Sequence, residues 1–216
     1  LRTLGLASTV WDFISHDGWD TVLDLDEPTY RELTLELLST FKLQGYYYST
    51  RRAETVSFRA FGKRHRITPD QLGVYLGLYT IEFTESPEFQ TLHQDFPLQA
   101  SPGSFWQSLG GGVSKKASQI KSHAHRYIHA LLARGVGGRS DSTGVVSRAD
   151  LLMMYSILER YPIHLGHLFA ELISHQATST RLGAIFAGPY ITRLIRGLGL
   201  IEHTQGMRVV SAVAPL

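Results

Sequence analysis

The stretch that decides the fold is Val56-Ser-Phe-Arg-Ala-Phe-Gly-Lys-Arg-His-Arg-Ile-Thr-Pro-Asp-Gln-Leu-Gly-Val-Tyr-Leu-Gly-Leu-Tyr79. Apolar residues occupy every second position from Val56 to Ala60, which is the period of a β-strand. Thr68 and Pro69 then have the character of a helix N-cap and a first-turn proline, and apolar residues follow at helical spacing. The pattern predicts a β-hairpin that leads directly into a capped helix. Because the basic residues 63–66 fall between the two strands, we expect positive charge at the hairpin tip.

Apolar residues at helical spacing dominate the rest of the chain. Asp26 and Pro28 predict a helix that begins there and ends at Gly45, and Ser147 with Asp150 predicts a capping box for a later helix. A helix or turn is predicted over residues 7–18, and helices over residues 114–134, 151–161, 163–175 and 182–197, the last kinked or split in two at Gly188-Pro189. The C-terminal tail is predicted to form a short hairpin that turns near Gln205. The expected fold class is therefore mainly α (α+β), a helical domain with one or two small β-hairpins.

A single domain over residues 1–216 is the expected organisation, because this length suffices for one buried core. Residues 80–104 lack sustained periodicity and are rich in proline, so we predict a long surface loop there. The loop would separate an acidic part from a basic part. Residues 1–100 contain 9 Lys/Arg and 14 Asp/Glu, a net charge of −5, whereas residues 101–216 contain 12 and 5, a net charge of +7. This division would steer a polyanion or attract a second copy head to tail, although ordinary variation in surface charge also produces such patterns.

The composition excludes several kinds of function. The chain has no cysteine, which excludes disulfides, thiolate metal ligands and cysteine nucleophiles. Hydrophobic residues make up 43% and charged residues 19%, as in an ordinary folded domain. The absence of cysteine fits a reducing compartment, and we expect a cytoplasmic or nuclear protein. No apolar run is long enough to cross a bilayer, so we expect no membrane partner. The chain begins at Leu1 and not at a methionine, and it is expected to be a segment of a longer protein.

The sequence contains no convincing catalytic or metal-binding arrangement. His125 and His129 are four residues apart and would share a helix face, and His164 and His167 are three apart, but no spacing points to a third ligand. Hydrogen-bonded structural histidines are the competing interpretation. A metal-dependent nuclease would need acidic residues at the ends of apolar strands, and four acids of the basic part do not occupy such a position: Asp141, Asp150, Glu159 and Glu171. No Gly-x-Ser-x-Gly elbow is present either. We therefore expect no catalytic residue, no metal, no cofactor and no enzyme activity.

Basic residues form three candidate patches for contact with nucleic acid. The first follows the tyrosines 46–48 and continues along the hairpin; it consists of Arg51, Arg52, Arg59, Lys63, Arg64 and Arg66. The second consists of Lys115, Lys116, Lys121 and Arg126, and the third of Arg181, Arg193 and Arg196. Basic side chains attract phosphates, and neighbouring tyrosines can stack on bases. The tyrosines could equally fill the edge of a core, and the charges could be an ordinary solvated surface.

Three blocks of the chain resemble a known family. They are residues 56–79, the stretch Ser140-Asp-Ser-Thr-Gly-Val-Val-Ser147 with the following Asp150-Leu-Leu, and Gly183-Ala-Ile-Phe-Ala-Gly-Pro-Tyr-Ile-Thr-Arg-Leu-Ile-Arg-Gly-Leu-Gly-Leu200. Together they resemble the Athila-type plant retrotransposon gag-like proteins, also described as a plant transposon protein domain. The first block is shared more loosely with the plant mobile domain. The resemblance spans nearly the whole chain and carries no catalytic residues with it.

The resemblance implies a gag-like role, which means self-association and contact with the RNA or DNA of the element. The zinc-knuckle tail of a gag protein would need cysteines, so any such tail must lie outside this segment. The first hypothesis is therefore a non-enzymatic gag-like domain that forms homo-oligomers and touches nucleic acid through basic patches. The alternative is a host-captured module, derived from a transposon, that binds another protein. A transposase-like enzyme is the third hypothesis.

Overall fold

A computed structural model describes residues 7–45, 55–139, 144–179 and 185–210 of the protein. These residues are mainly helical with two small antiparallel sheets, which confirms the predicted fold class. The α-helices are α1 (Ala7–Ile14), α2 (Trp19–Leu23), α3 (Arg31–Thr40), α4 (Pro69–Tyr75), α5 (Ile81–Thr84), α6 (Pro102–Ser108), α7 (His123–Leu131), α8 (Arg148–Leu158), α9 (Leu165–Thr178) and α10 (Ala187–Gly197). The strands are β1 (Thr29–Tyr30), β2 (Lys42–Gln44), β3 (Thr55–Ala60), β4 (Lys63–Ile67) and β5 (Val209–Val210), paired as β1-β5 and as β2-β3-β4.

The chain divides into two compact units, and each unit combines two separate segments. Unit 1 consists of Leu1–Leu23 and Asp95–Ile163, and unit 2 consists of Asp24–Gln94 and His164–Leu216. Unit 1 contains 9 Lys/Arg and 7 Asp/Glu, whereas unit 2 contains 12 of each. Because each unit draws on both the acidic and the basic part of the sequence, these parts do not become an acidic unit and a basic unit.

Unit 2 has a core of four helices, α3, α4, α9 and α10. They bury apolar side chains that include Leu33, Leu37, Leu72, Phe169, Ile191 and Leu194. A Cβ atom on Gly166 of α9 would come within 2.2 Å of the Pro69 carbonyl oxygen, and one on Gly197 of α10 within 2.3 Å of the Tyr75 carbonyl oxygen. The close packing of α4 against both neighbours therefore depends on glycine at these two positions.

The predicted hairpin and capped helix are present as β3, β4 and α4. Thr68 Oγ1 accepts the Gln71 N–H in a capping box and Pro69 lies in the first turn, which confirms the helix start. The predicted position of the hairpin turn is wrong. Phe61 and Gly62, with φ of 51° and 76°, form a two-residue turn whose backbone twist matches that of the flanking strands. Residues 63–66 consequently lie within β4 and not at the tip.

Residues 26–45 do not form the single helix predicted for them. Residues 29 and 30 form strand β1, which pairs with β5 near the other end of the sequence. Helix α3 therefore begins at Arg31, and Asp26 does not cap it. Helix α3 ends at Thr40, and the chain continues as β2 beside β3. The tail accordingly pairs with β1 instead of forming the hairpin predicted near Gln205. Both differences arise from pairing between distant segments, which local periodicity does not reveal.

Helix α10 is one continuous helix from Ala187 to Gly197 and is not split at Gly188-Pro189, where a kink or a split is predicted. It begins at Ala187, so Pro189 stands in the first turn, where a backbone N–H would have no intrahelical acceptor. Residues 182–184 of the predicted helix lie outside the described residues. In residues 80–104, for which a long loop is predicted, the structure has α5, a 3₁₀ turn at Phe89–Thr91 and the start of α6.

Unit 1 is built from α1, α2, α6, α7 and α8. The fully buried Trp19 donates its indole N–H to Ser156 Oγ at 2.9 Å, which links α2 to α8. The helix predicted over residues 114–134 is shorter than expected, because α7 starts only after the Ser122 cap. Ser147 and Asp150 form the predicted capping box of α8.

Candidate nucleic-acid interface

The three-stranded sheet of unit 2 has a buried face and an exposed face. Val56, Phe58 and Ala60 of β3 and Ile67 of β4 are buried. Because side chains alternate between the two faces of a strand, the intervening residues point to the other side. The pairing register brings them together as the basic sheet face, which consists of Lys42, Gln44, Thr55, Ser57, Arg59, Arg64 and Arg66.

Four cations lie in two rows across the basic sheet face. Lys42 and Arg66 both stand opposite Ser57, one on each neighbouring strand. Arg59 and Arg64 stand directly opposite each other two residues further along, about 7 Å from the first row at the usual strand rise. Like charges that face each other across a ladder destabilise a sheet. An anion bound between the rows would remove that repulsion.

Few intramolecular anions neutralise this face. Arg59 Nη2 lies 3.5 Å from Glu36 Oε1, and the same carboxylate oxygen accepts the Gly62 N–H at 2.8 Å. Arg66 donates a long hydrogen bond of 3.4 Å to Thr55 Oγ1. Lys42 and Arg64 form no ion pair with a described residue. Among the described residues, the face therefore presents four exposed cations against one carboxylate.

The structure separates the remaining members of the first predicted patch. Lys63 pairs with Ala60 and so points to the opposite side of the sheet from Arg64. On that side His65 stacks on Phe58, with ring centroids 5.4 Å apart. Arg51 and Arg52 lie outside the described residues, together with the tyrosines 46–48.

Lys42 completes the basic sheet face, and it is a residue that the sequence analysis does not identify. The expectation of one helix over residues 26–45 gives Lys42 no strand neighbour. A weak signal is present, because apolar and polar residues alternate from Phe41 to Gln44. Four residues are too few for that alternation to override a preceding helical pattern.

The second predicted patch lies on irregular backbone in unit 1. Its three lysines are exposed and are named here the lysine loop: Lys115, Lys116 and Lys121. Lys116 pairs with Val145 in an isolated antiparallel bridge. Arg126, by contrast, is half-buried on α7, and its Nε atom is buried without a hydrogen-bond partner among the described residues. These charges do not lie on the paired strands of a sheet, so no strand register fixes the distances between them.

The third predicted patch lies on α10, and one of its arginines already forms an ion pair within the protein. Arg196 Nε and Nη2 donate to the two carboxylate oxygens of Glu27 at 3.0 and 2.9 Å. The hydrogen bonds with this carboxylate, together with its charge, raise the pKa of Arg196. Arg193 is half-buried on the same helix, and Arg181 lies outside the described residues.

The acidic candidate Asp150 is part of a buried structural cluster. Asp150 Oδ2 accepts the Ser147 N–H at 2.7 Å and a hydrogen bond from the Arg139 guanidinium, and His129 Nε2 lies 3.5 Å away. Burial alone would raise the pKa of Asp150, but these donors outweigh it and the pKa is lowered. Glu159 is the C-cap residue of α8, and Asp141 lies outside the described residues. Asp150 therefore stabilises the start of α8.

The histidine pair at 164 and 167 also has a structural explanation. His164 Nδ1 accepts the His167 backbone N–H at 3.1 Å and thereby caps α9. With Nδ1 as an acceptor, Nε2 carries the proton and donates to Asp70 Oδ1 at 3.0 Å. This hydrogen bond lowers the pKa of Asp70. Across the described ranges, no group of three or more His, Asp or Glu side chains could hold a metal ion.

The basic sheet face can bind phosphates but offers no base stacking from its own residues. Its seven members are cationic, hydroxyl or amide side chains, all of which donate hydrogen bonds to phosphate oxygens. None of the seven is aromatic, and the buried Phe58 lies on the other face. Contacts of this type position a nucleic acid without reading its sequence.

The chain matches a known protein family. The family model described as ATHILA ORF-1 family matches residues 1–161 of the chain. The matched range includes every residue of the basic sheet face and the lysine loop, whereas α9 and α10 follow it. No curated protein and no solved structure matches the chain. Among the described residues, no helix combines the length and the apolar character that crossing a bilayer requires.

Proposed function

This chain belongs to the ATHILA ORF-1 family, and from that premise we propose that it is a gag-like, non-enzymatic domain of a retrotransposon that self-associates and contacts nucleic acid through the basic sheet face. The observation that carries the nucleic-acid part is the direct opposition of Arg59 and Arg64 beside Lys42 and Arg66. A sheet gains nothing in stability from such an arrangement. A bound phosphate backbone supplies the anions that it lacks.

The proposed contact is non-specific and depends on salt. Four side chains that neutralise phosphates release condensed counter-ions, and the affinity falls as salt is added. The spacing of about 7 Å between rows suits a phosphate backbone that runs along the strands. Because no base stacking comes from the face itself, we expect RNA and DNA single strands of different sequence to bind with similar affinity.

A matched pair of triple variants tests this proposal. Lys42, Arg64 and Arg66 are changed to Gln in one variant, and the three residues of the lysine loop are changed to Gln in the other, so both lose the same charge. Binding to a labelled single-stranded RNA of about 20 nucleotides is followed by fluorescence anisotropy. The sheet variant should lose at least about tenfold in affinity, because three phosphate contacts disappear, and the loop variant should lose little. Equal losses would mean that net charge alone drives binding and would refute the basic sheet face.

Self-association is the second part of the proposal. It is supported by family membership and by two fully exposed apolar side chains of unit 1, Leu98 and Val113. Light scattering over a range of concentrations tests it. Oligomers that grow with concentration support the gag-like role, whereas a fixed monomer would favour a host-captured module that binds another protein. Cleavage assays with magnesium or manganese address the enzyme alternative, and turnover of a nucleic acid would overturn the non-enzymatic assignment.

A further inference from the structure

Strand β4 ends the three-stranded sheet and leaves one edge open. The sheet order is β2-β3-β4, and β4 pairs only with β3 among the described strands. In a two-residue hairpin the residues that flank the turn, here Ala60 and Lys63, exchange backbone hydrogen bonds, and hydrogen-bonded and non-hydrogen-bonded pairs then alternate. Arg64 and Arg66 fall in the non-hydrogen-bonded pairs. Their backbone N–H and C=O groups therefore point away from β3 toward the open edge.

A hydrogen bond on the far side of the sheet confirms this alternation. The N–H of Arg59, which pairs with Arg64, donates to Thr40 Oγ1 on the β2 side and not to β4. Ser57 pairs with Arg66, and its backbone N–H and C=O groups likewise face β2, where Ser57 pairs with Lys42. The open edge of β4 thus carries two donors and two acceptors, and no described residue forms a backbone hydrogen bond to them.

The side chains on this edge select the partner. An added strand places a residue directly opposite each of Arg64 and Arg66, on the same face and with Cβ atoms about 5 Å apart. A second copy of β4 would place arginines there, and the like charges would repel. Carboxylates two residues apart on an extended peptide would instead meet both arginines. The residue between them would face the other side of the sheet, beside His65.

We propose that the open edge of β4 docks an extended acidic peptide of the form Glu-x-Glu, which joins the sheet as a fourth, antiparallel strand. Backbone hydrogen bonds to Arg64 and Arg66 supply the affinity, and the two guanidinium groups supply the preference for acidic side chains. This inference does not rest on nucleic-acid binding. It concerns the strand edge, whereas phosphate contact needs only the side chains of the face.

Two methylated peptides test the proposal without any change in the protein. The probe is a labelled peptide that alternates Thr and Glu, and each test peptide carries N-methyl groups on either its Glu amides or its Thr amides. The charge is the same in both. In antiparallel pairing with β4, with Glu opposite Arg64 and Arg66, the Glu amides face the strand and the Thr amides face away. Methylation at Glu should weaken binding at least about tenfold, and methylation at Thr should leave it nearly unchanged, because only the first blocks the backbone bonds.

Amide hydrogen exchange gives a site-specific readout in the same experiment. The unmethylated peptide should slow exchange at the Arg64 and Arg66 amides, which lack a described partner, and should change exchange at His65 little, because that amide already faces β3. Equal binding of both methylated peptides, or no protection at Arg64 and Arg66, would show that β4 acts toward acidic ligands only as a cationic surface, as it does toward nucleic acid. Either result would overturn the proposal.

Discussion

The basic sheet face of unit 2 and the lysine loop of unit 1 carry similar charge on different scaffolds. On the sheet, the register of three strands fixes four cations in two rows, and two arginines face each other directly. In the loop, three exposed lysines are held by one isolated bridge and a 3₁₀ turn. The difference shows that the count of basic residues along a chain says less about a polyanion site than the backbone that spaces them.

The largest effect is expected from a substitution that unfolds unit 2 and with it the basic sheet face. Leu194 is completely buried in the helical core of unit 2, so Leu194→Asp places an unpaired charge among apolar side chains. We expect a loss of more than about 4 kcal/mol in the free energy of unfolding, with loss of RNA affinity as unit 2 unfolds. Urea denaturation followed by circular dichroism measures it.

Leu35→Asp is the matched control for this change. Leu35 lies on α3 in the same unit but is exposed, so the variant should keep both its stability and its RNA affinity. Retained thermal stability of Leu194→Asp would contradict the packing of α10 described above.

A second prediction perturbs the unit that holds the lysine loop. Asp150→Asn removes the buried carboxylate that accepts from Ser147 and Arg139, and we expect it to cost about 3 kcal/mol because the Arg139 guanidinium loses its counter-ion. Glu159→Gln on the exposed end of the same helix should change stability by less than about 0.5 kcal/mol. If the sheet face carries RNA binding, the affinity of the folded Asp150→Asn protein should match that of the wild type. A large loss of RNA affinity would indicate that residues of unit 1 contribute to the interface.

A third, smaller effect depends on pH. The hydrogen bond from His164 holds the pKa of Asp70 below its ordinary value, so the contribution of Asp70 to stability is complete above about pH 4 and is lost as the pH falls through the folded-state pKa. Asp70→Asn should therefore reduce stability by about 1 kcal/mol at pH 7. The difference from wild type should shrink as the pH falls through the folded-state pKa of Asp70, because the protonated carboxyl no longer carries the charge that the hydrogen bond from His164 stabilises. Urea titrations at several pH values measure both; a difference independent of pH would show that the Asp70 charge contributes nothing.

The smallest predicted effect concerns α10. The exposed Arg196 forms a bidentate ion pair with the half-buried Glu27 at the protein surface, and surface pairs contribute about 1 kcal/mol or less. Arg196→Gln should therefore lower stability only slightly. It should leave RNA affinity unchanged, because the Arg196 guanidinium is already paired with Glu27. A loss of affinity comparable with that of the sheet variant would show that α10 takes part in binding. Thermal denaturation and anisotropy, measured side by side, decide between these outcomes.

The parts of the fold that depend on neighbouring residues can be predicted from the sequence. The Thr68 cap, the Ser147 capping box and the alternation from Val56 to Ala60 each involve contacts within a few residues, and all three are present. The hairpin turn is displaced because Phe61 adopts a positive φ, which its residue type does not favour.

Features that depend on distant segments could not be predicted in the same way. The pairing of β1 with β5 joins residues near 30 to residues near 210, and each unit combines two separated segments. The same limit applies to the candidate site. Three of its cations were expected from their charge, but Lys42 joins them only through the pairing of β2 with β3. Whether Arg196 has an internal partner likewise depends on Glu27, which lies far away in the sequence.

The salt dependence of RNA binding tests the central claim most directly. For single-stranded RNA on four cations, a plot of log affinity against log salt concentration should have a slope of about −2.8 for the wild type. With Lys42, Arg64 and Arg66 changed to Gln, the slope should approach about −0.7, whereas the lysine-loop variant should keep the wild-type value. A slope near zero for the wild type, or the same slope for all three proteins, would contradict the account.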